Sequence, residues 1–291
     1  MVLKSLKIGV VLVLILPLIY LSCASKTVSS ETKYTLEELI AADKNVYFEN
    51  VVFDKEVDFT SMKGAYLIST GIHQIKINSS ITFKNCTFKK SVTSYAKNNN
   101  SVTFSVFNDN LTFIDCTFEE SANFRGSTVL GLLDFSGSTF KSTSSFEECN
   151  FFRNAHFKSC HFENDSRFQN SIFFKNAFFA NSKFYDNISF QDVSFNETAQ
   201  FGVCEFSKYT DFSKVNFKGN SFFNYSEFSG RASFSNAFFL KDFEFMYTKN
   251  NSCKFDNARF MSKVKFYELE VENDMTFENA FFLIDKPNLN E

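Results

Sequence analysis

Phenylalanine recurs every 11 residues, at Phe113, Phe124, Phe135, Phe146, Phe157, Phe168, Phe179, Phe190, Phe201, Phe212, Phe223, Phe234 and Phe245. A second series runs five residues behind, at Phe118, Phe140, Phe151, Phe162, Phe173, Phe184, Phe195, Phe206, Phe217, Phe228 and Phe239, interrupted only by Val129. The chain therefore steps between large apolar residues as 5, 6, 5, 6. Two positions before each aromatic the residue is mostly small, as at Ala122, Ser138, Cys149, Ala155, Cys160, Ala177 and Ser182. Leu133, Ile188, Val193, Val215, Phe243 and Val264 are the larger exceptions. The residue in between is mostly polar, as at Asn123, Asp134, Arg167, Gln200 and Asp211. Residues i and i−2 share one side of an extended segment. Each triplet thus predicts a very short strand that turns a ring and a small residue inward. One such unit repeated at a fixed short period is an all-β solenoid.

The register extends beyond the perfect stretch. Phe48, Phe53 and Phe59 show the same spacing; Ile72, Ile77, Phe83 and Phe88 resume it, followed by Val102 and Phe107. The gaps from Phe59 to Ile72 and from Phe88 to Val102 are 13 and 14 residues, which read as corner insertions of two and three. The second falls at Lys97-Asn98-Asn99-Asn100, a loop composition. Phe245 to Phe255 is only 10, a defect near Lys249-Asn250-Asn251, after which Phe260, Phe266, Val271, Phe277 and Phe282 complete the register. The solenoid is therefore expected over residues 46–282, with a tail over 283–291. Before it, Thr35-Leu36-Glu37-Glu38 is a capping box. It predicts a short helix within residues 35–45 that covers the open first coil.

The first residues belong to none of this. Lys4 and Lys7 precede an apolar run that ends at Leu21-Ser22-Cys23. From Ile8 to Ser22 it is 15 residues long, short of the roughly 20 that span a bilayer as a helix. Residues 1–22 thus read as a secretory signal peptide. The end of the run, with Ala24-Ser25 after Cys23, resembles a bacterial lipoprotein cleavage site. That resemblance implies that Cys23 becomes the lipidated first residue, followed by a polar tether over residues 23–34. Tyr20 departs from the aliphatic usual three positions before the cysteine; cleavage after Ser25 and free secretion is the alternative. The expected location is the cell envelope, anchored by lipid in the outer or plasma membrane, or outside the cell if Cys23 is unmodified.

The triplet followed by two turn residues, as in Ala-His-Phe-Lys-Ser from Ala155 and Ala-Arg-Phe-Met-Ser from Ala258, resembles the pentapeptide-repeat family. The resemblance covers roughly residues 48–282, and the alternation of 5 and 6 departs from a strict five. It implies a right-handed quadrilateral β-helix, one repeat per side and 22 residues per coil. Residues 22 apart would then stack about 4.8 Å from one another. About eleven coils would make a rod on the order of 50 Å long.

Composition narrows the chemistry. The chain has 291 residues and 43 Phe, with no Trp and 2 Pro; Phe fills volume without needing a hydrogen-bond partner. Net charge is −3, or −5 once Lys4 and Lys7 leave with the leader. That is too balanced for a polyanion mimic and too acidic for a general nucleic-acid binder, so no nucleic acid is expected as partner. Cys86, Cys116, Cys149, Cys160, Cys204 and Cys253 all hold the small inward position. Cys116, Cys160 and Cys204 share a column but lie two coils apart, about 9.6 Å, beyond the roughly 7 Å of a disulfide. They read as small buried fillers. His73, His156 and His161 are scattered, and no Gly-rich phosphate loop, nucleophile elbow or paired-Cys metal spacing is present. No catalytic, cofactor-binding or metal residues are assigned, and no enzyme activity is expected.

Some outward positions are apolar. Leu130, Phe152 and Phe174 directly follow their aromatics at intervals of 22, with Leu240 further along the same column. Phe178 and Phe222 flank Gln200 in another. The Leu130, Phe152, Phe174, Leu240 strip is either a partner face or a pair of rings folded over a corner. The expected function is a non-catalytic exported lipoprotein serving as a structural or protein-interaction scaffold. Its partner is another protein or a second copy, met through side faces or solenoid ends, and it touches the membrane through its lipid anchor. A β-helical polysaccharide-binding or -cleaving protein is one alternative, although no column of Asp or Arg lines a face. A DNA mimic that shields topoisomerases, as some pentapeptide-repeat proteins do, is the other; it requires a cytoplasmic location and a strongly acidic surface.

Overall fold

Stacks of very short parallel strands on four sides make up the computed structural model, which describes residues 26–27, 45–62 and 65–284. The expected all-β solenoid is thereby observed. The leader, Cys23, the helix expected over 35–45 and residues 285–291 lie outside the described residues. Within the expected tether, Lys26–Thr27 is a strand lying parallel to Val51 and Val52 of the first coil.

Face 1 is a ten-stranded ladder from Val46–Glu49 to Val264–Tyr267. Faces 2 and 3 carry ladders that include Thr117–Phe118 and Ala122–Asn123, respectively. These two join where the longer strands Glu227–Ser233, Lys249–Lys254 and Glu270–Thr276 run around the corner between them. Face 4 ends at Phe281–Phe282. Every described coil-to-coil pairing is parallel, and in the regular region partners differ by 22, as for Phe151 and Phe173. Most strands are two residues long because the turn begins directly after the ring. No one strand could stand alone; a coil becomes stable when its neighbours supply both hydrogen bonds and ring contacts.

The rings fill the tube as expected. Along one face they stack nearly parallel, Phe157 on Phe179 at 5.0 Å and 3°, and Phe140 on Phe162 at 4.7 Å and 1°. Between faces they meet edge-on, Phe157 against Phe168 at 5.2 Å and 86°. Each ring thus combines coil-spaced stacking with the edge-to-face contact that the ring quadrupole favours.

The alternation of 5 and 6 has a backbone cause. After faces 1 and 3, the second residue past each ring from Phe83 onward adopts positive φ, as in Asp115, Gly126, Gly137, Asn170, Asn181 and Asp192. The next N–H commonly bonds back to the ring residue's carbonyl, as Ser182 N does to Phe179 O at 3.2 Å. This is a type II turn, and it completes a corner in five residues. The corners after faces 2 and 4 contain none of the positive-φ residues and take six. Asn, Asp and Gly tolerate the left-handed region; a β-branched residue does not. Val203 nevertheless holds φ 59° there, exposed in solvent. Val203→Asn is expected to stabilise the protein by about 1 kcal/mol, seen as a higher urea midpoint. An unchanged or lower midpoint would contradict the turn assignment.

Two expectations are corrected. The insertions are far larger than two and three residues: Phe48 pairs with Phe83, 35 residues on, and Phe83 with Phe113, 30 on. The extra residues form two antiparallel hairpins, Tyr66–Ser69 with Ile72–Ile77 and Tyr95–Asn98 with Ser101–Phe107. Their inner strands pair with each other, building a four-stranded wing on face 4. Gly71 turns the first hairpin at φ 75°, and a side chain there would strike Asn100 O at 2.6 Å. Ile72 is consequently exposed on the wing, while Ile75 and Ile77 enter the core. Because the wing consumes chain, face 1 has ten rungs instead of about eleven. Nine steps give a rod of ~43 Å at ~4.8 Å each.

Candidate interaction surface

The apolar strip lies just past face 4, at the start of a six-residue corner. Successive amides bind it to the coil before: Leu130 N donates to Phe107 O, Phe152 N to Val129 O and Phe174 N to Phe151 O, at 2.8–3.0 Å. The three side chains therefore form one column on the outside. Phe152 and Phe174 stack with centroids 4.3 Å apart at 15°. Leu130 and Phe152 are 39% and 40% exposed, and Phe174 is half-buried. Leu240 does not join them, because Asn196 and Lys218 occupy the two intervening rungs. It heads a separate apolar run with Met261 and Leu283 near the C-terminal end.

The second outward column also falls where expected, with Phe178 opposite Gln200 and Gln200 opposite Phe222. Phe178 is covered, with His156 stacked on it at 4.7 Å and the Lys158 ammonium 4.6 Å from its centroid. Burial draws His156 below the ordinary imidazole value, and Lys158 pushes the same way while Asp134 opposes. His161 lies on the adjacent face beside Tyr185. Among the described residues no group of three or more His, Cys, Asp or Glu is placed to hold a metal ion.

One surface feature was not anticipated. Tyr225 and Tyr247 stack at 4.8 Å and 3°, and Tyr267 meets Tyr247 edge-on at 5.5 Å. All three are exposed near the corner after face 1. The signal was available in the 22-residue interval between Tyr225 and Tyr247. Charges elsewhere pair along the outside, as Lys183 with Glu205 at 2.8 Å and Lys175 with Glu197 at 3.4 Å. Such exposed pairs add little stability, but they leave these parts of the faces without a strong field of either sign.

Inside, the six cysteines among the described residues are free and buried. They do more than fill space. Ser138, Ser182 and Ser226 each donate from Oγ to a ring residue's carbonyl in the coil before, Phe113, Phe157 and Phe201. The same oxygens accept from the amides of Cys116, Cys160 and Cys204. Cys160 and Cys204 in turn offer Sγ to Phe135 O and Phe179 O at 3.1 Å. Where Ser lies above, its hydroxyl bridges the turn; where Cys lies above, as over Ser138 and Ser182, the turn closes directly. Burial pushes the Cys204 thiol up to about 12, so it stays protonated at neutral pH.

Compared with known sequences, residues 105–150 and 146–194 match pentapeptide repeats in a nine-copy form. Neither the curated proteins nor the solved structures compared with it give a match. The matched segment carries the regular 22-residue coils, and the same ladder continues in register on face 4 to Phe282. With ring columns, small inward partners and four-sided coils all present, residues 105–194 are pentapeptide repeats, and the same architecture continues on either side of them.

Proposed function

We propose that this repeat scaffold works as a non-catalytic, exported and lipid-anchored rod whose outer apolar ladder docks another protein. The observation that carries the reading is the stacked Phe152–Phe174 pair beside Leu130, held on a rigid parallel ladder and open to solvent. A contiguous exposed apolar strip marks an interaction surface more often than scattered residues do. Its backbone is fixed on both sides by neighbouring coils, so docking would order little that is not already ordered. Export and anchoring rest on the leader and Cys23. With no membrane span needed, one acylated cysteine followed by a short polar stretch would hold the rod near the bilayer.

The test uses the full chain in a bacterial host supplied with labelled fatty acid. We expect label on the wild-type chain and none on Cys23→Ala. Proteins cross-linked to the wild-type rod should fall at least tenfold in a Phe152→Ser, Phe174→Ser double variant that retains its thermal midpoint. Undiminished cross-linking would remove the strip as the docking face, and label persisting on Cys23→Ala would remove the anchor. Cross-linking to a second copy alone would identify self-association as the strip's use.

A further inference from the structure

We propose that Cys86 and Cys116 form a dithiol that closes to a disulfide, stapling two consecutive coils near the wing. Register defines the pair. Thr87 lies opposite Thr117, and Lys84 opposite Ile114, in adjacent parallel strands. Thr117 N donates to Cys86 O at 2.8 Å. The cysteines therefore hold the same corner position in successive coils. Adjacent strands lie ~4.8 Å apart, within the ~4.4–6.8 Å separation of Cα atoms in disulfides. Both side chains are buried in the same column. The thiols hold matching orientations: Cys86 Sγ donates to Lys84 O at 3.3 Å and Cys116 Sγ to Ile114 O at 3.4 Å, the carbonyls two residues before each.

The pattern of the column singles out this step. From Cys116 upward, Ser138, Ser182 and Ser226 alternate with Cys160 and Cys204, so a hydroxyl separates each thiol from the next. Cys149 likewise has Ser171 above it, and Cys253 stands between Ala232 and Met275. Only between Cys86 and Cys116, among the described residues, are two thiols stacked directly. The step also spans a gap in the face 3 ring column. Between the two cysteines the chain makes the Tyr95–Asn98 and Ser101–Phe107 hairpin and places Ser94 in the face 3 column. The coils on either side have Phe59 and Phe124 there. Ser94 meets Ser127 through their hydroxyls at 2.6 Å instead of stacking a ring. A covalent link across this coil restricts the unfolded chain at a rung whose face 3 lacks a ring.

Closure needs an oxidant, and a small-molecule disulfide supplies it. One protein thiolate attacks a sulfur of oxidised glutathione, forming a mixed disulfide and expelling one glutathione thiol. The second cysteine, giving up its proton, attacks the protein sulfur of that mixed disulfide. A second glutathione leaves as thiol, so the protein dithiol is oxidised while one disulfide is reduced to two thiols.

The full chain is refolded from denaturant with and without oxidised glutathione, alkylated in denaturant, digested and mapped without reduction. Refolding exposes every thiol before the coils close, so burial does not protect the pair. We expect one fragment containing Cys86 joined to one containing Cys116, with Cys149, Cys160, Cys204 and Cys253 alkylated. The thermal midpoint of the oxidised chain should rise by several degrees over the reduced one, and Cys86→Ser should abolish the rise. Alkylated Cys86 and Cys116 after oxidant, glutathione retained on either, or linkage of either to another cysteine would overturn the proposal. So would a link that leaves the midpoint unchanged or lowers it.

Discussion

Replacing Phe179 with alanine is expected to cost about 3–5 kcal/mol of stability, read from the urea midpoint and slope of the full chain. Its ring is fully buried. It stacks on Phe157 at 5.0 Å and Phe201 at 4.7 Å, and meets Phe168 and Phe190 edge-on at 5.4 and 5.2 Å. The hole cannot collapse, because parallel strand pairs hold each of those rings at coil spacing. Phe282→Ala provides the contrast. That ring is half-buried in the last described rung, with Phe260 stacked at 4.7 Å and Phe277 tilted at 6.0 Å. It should cost roughly half as much, since fewer contacts and less buried area are lost. Equal losses at the two sites would mean that the rings do not act as a stack.

Most of this architecture was legible because a period is a strong signal. Thirteen rings at 11-residue spacing leave no other way to place the core, and the small residue two before each ring set the strand direction. What failed did so where the period is interrupted. Spacing alone shows that residues were added between Phe59 and Phe83, but an apolar Ile72 can lie in a coil or on a hairpin. The 5–6 rule favoured the coil, whereas antiparallel pairing with Ser69 put Ile72 on the wing. The same misplacement hid the stacking of Cys116 directly above Cys86, which stand 30 residues apart in sequence and one rung apart in space. The hydroxyl bridges of Ser138 and Ser182 were equally invisible. Ser, Ala and Cys satisfy the same size requirement, and only the coil beneath shows which backbone groups a hydroxyl can reach.

The surface was less legible than the core for a related reason. Inward positions answer to one demand, volume, while outward positions answer to whatever the protein meets. The register correctly placed Leu130, Phe152 and Phe174 in one column, and Phe178 and Phe222 in another. It also put Leu240 in the first column, yet column membership is not contact. Asn196 and Lys218 separate Leu240 from Phe174, so the contiguous apolar strip is three residues long.

The short coil near Asn250 yields the second large effect, a coupling. Asn250 lies opposite Phe228 and Val271, which puts a buried amide where face 2 would have a ring. Its Nδ2 donates to Thr248 Oγ1 at 3.0 Å, but its Oδ1 has no partner among the described residues. Seven residues earlier, Phe243 fills a face 1 position that is Ala or Ser in the four coils before it. The rings re-sort accordingly. Phe245 is 6.1 Å from Phe223 and tilted by 45°, and it leans toward Phe228 at 5.6 Å and 22°. Phe243 settles 4.5 Å from Phe239 and 5.8 Å from Phe223. It thus supplies the volume that Asn250 withholds. Phe243→Ala alone should cost about 3–5 kcal/mol, and Asn250→Phe alone about 1–3 kcal/mol by overpacking. Together they rebuild the ring-and-small pattern of the regular coils, so the double variant should exceed the additive expectation by about 1–3 kcal/mol. Urea unfolding of the four proteins measures this coupling. Additive losses would mean that the amide and the extra ring arose independently and that each is tolerated by the coil on its own.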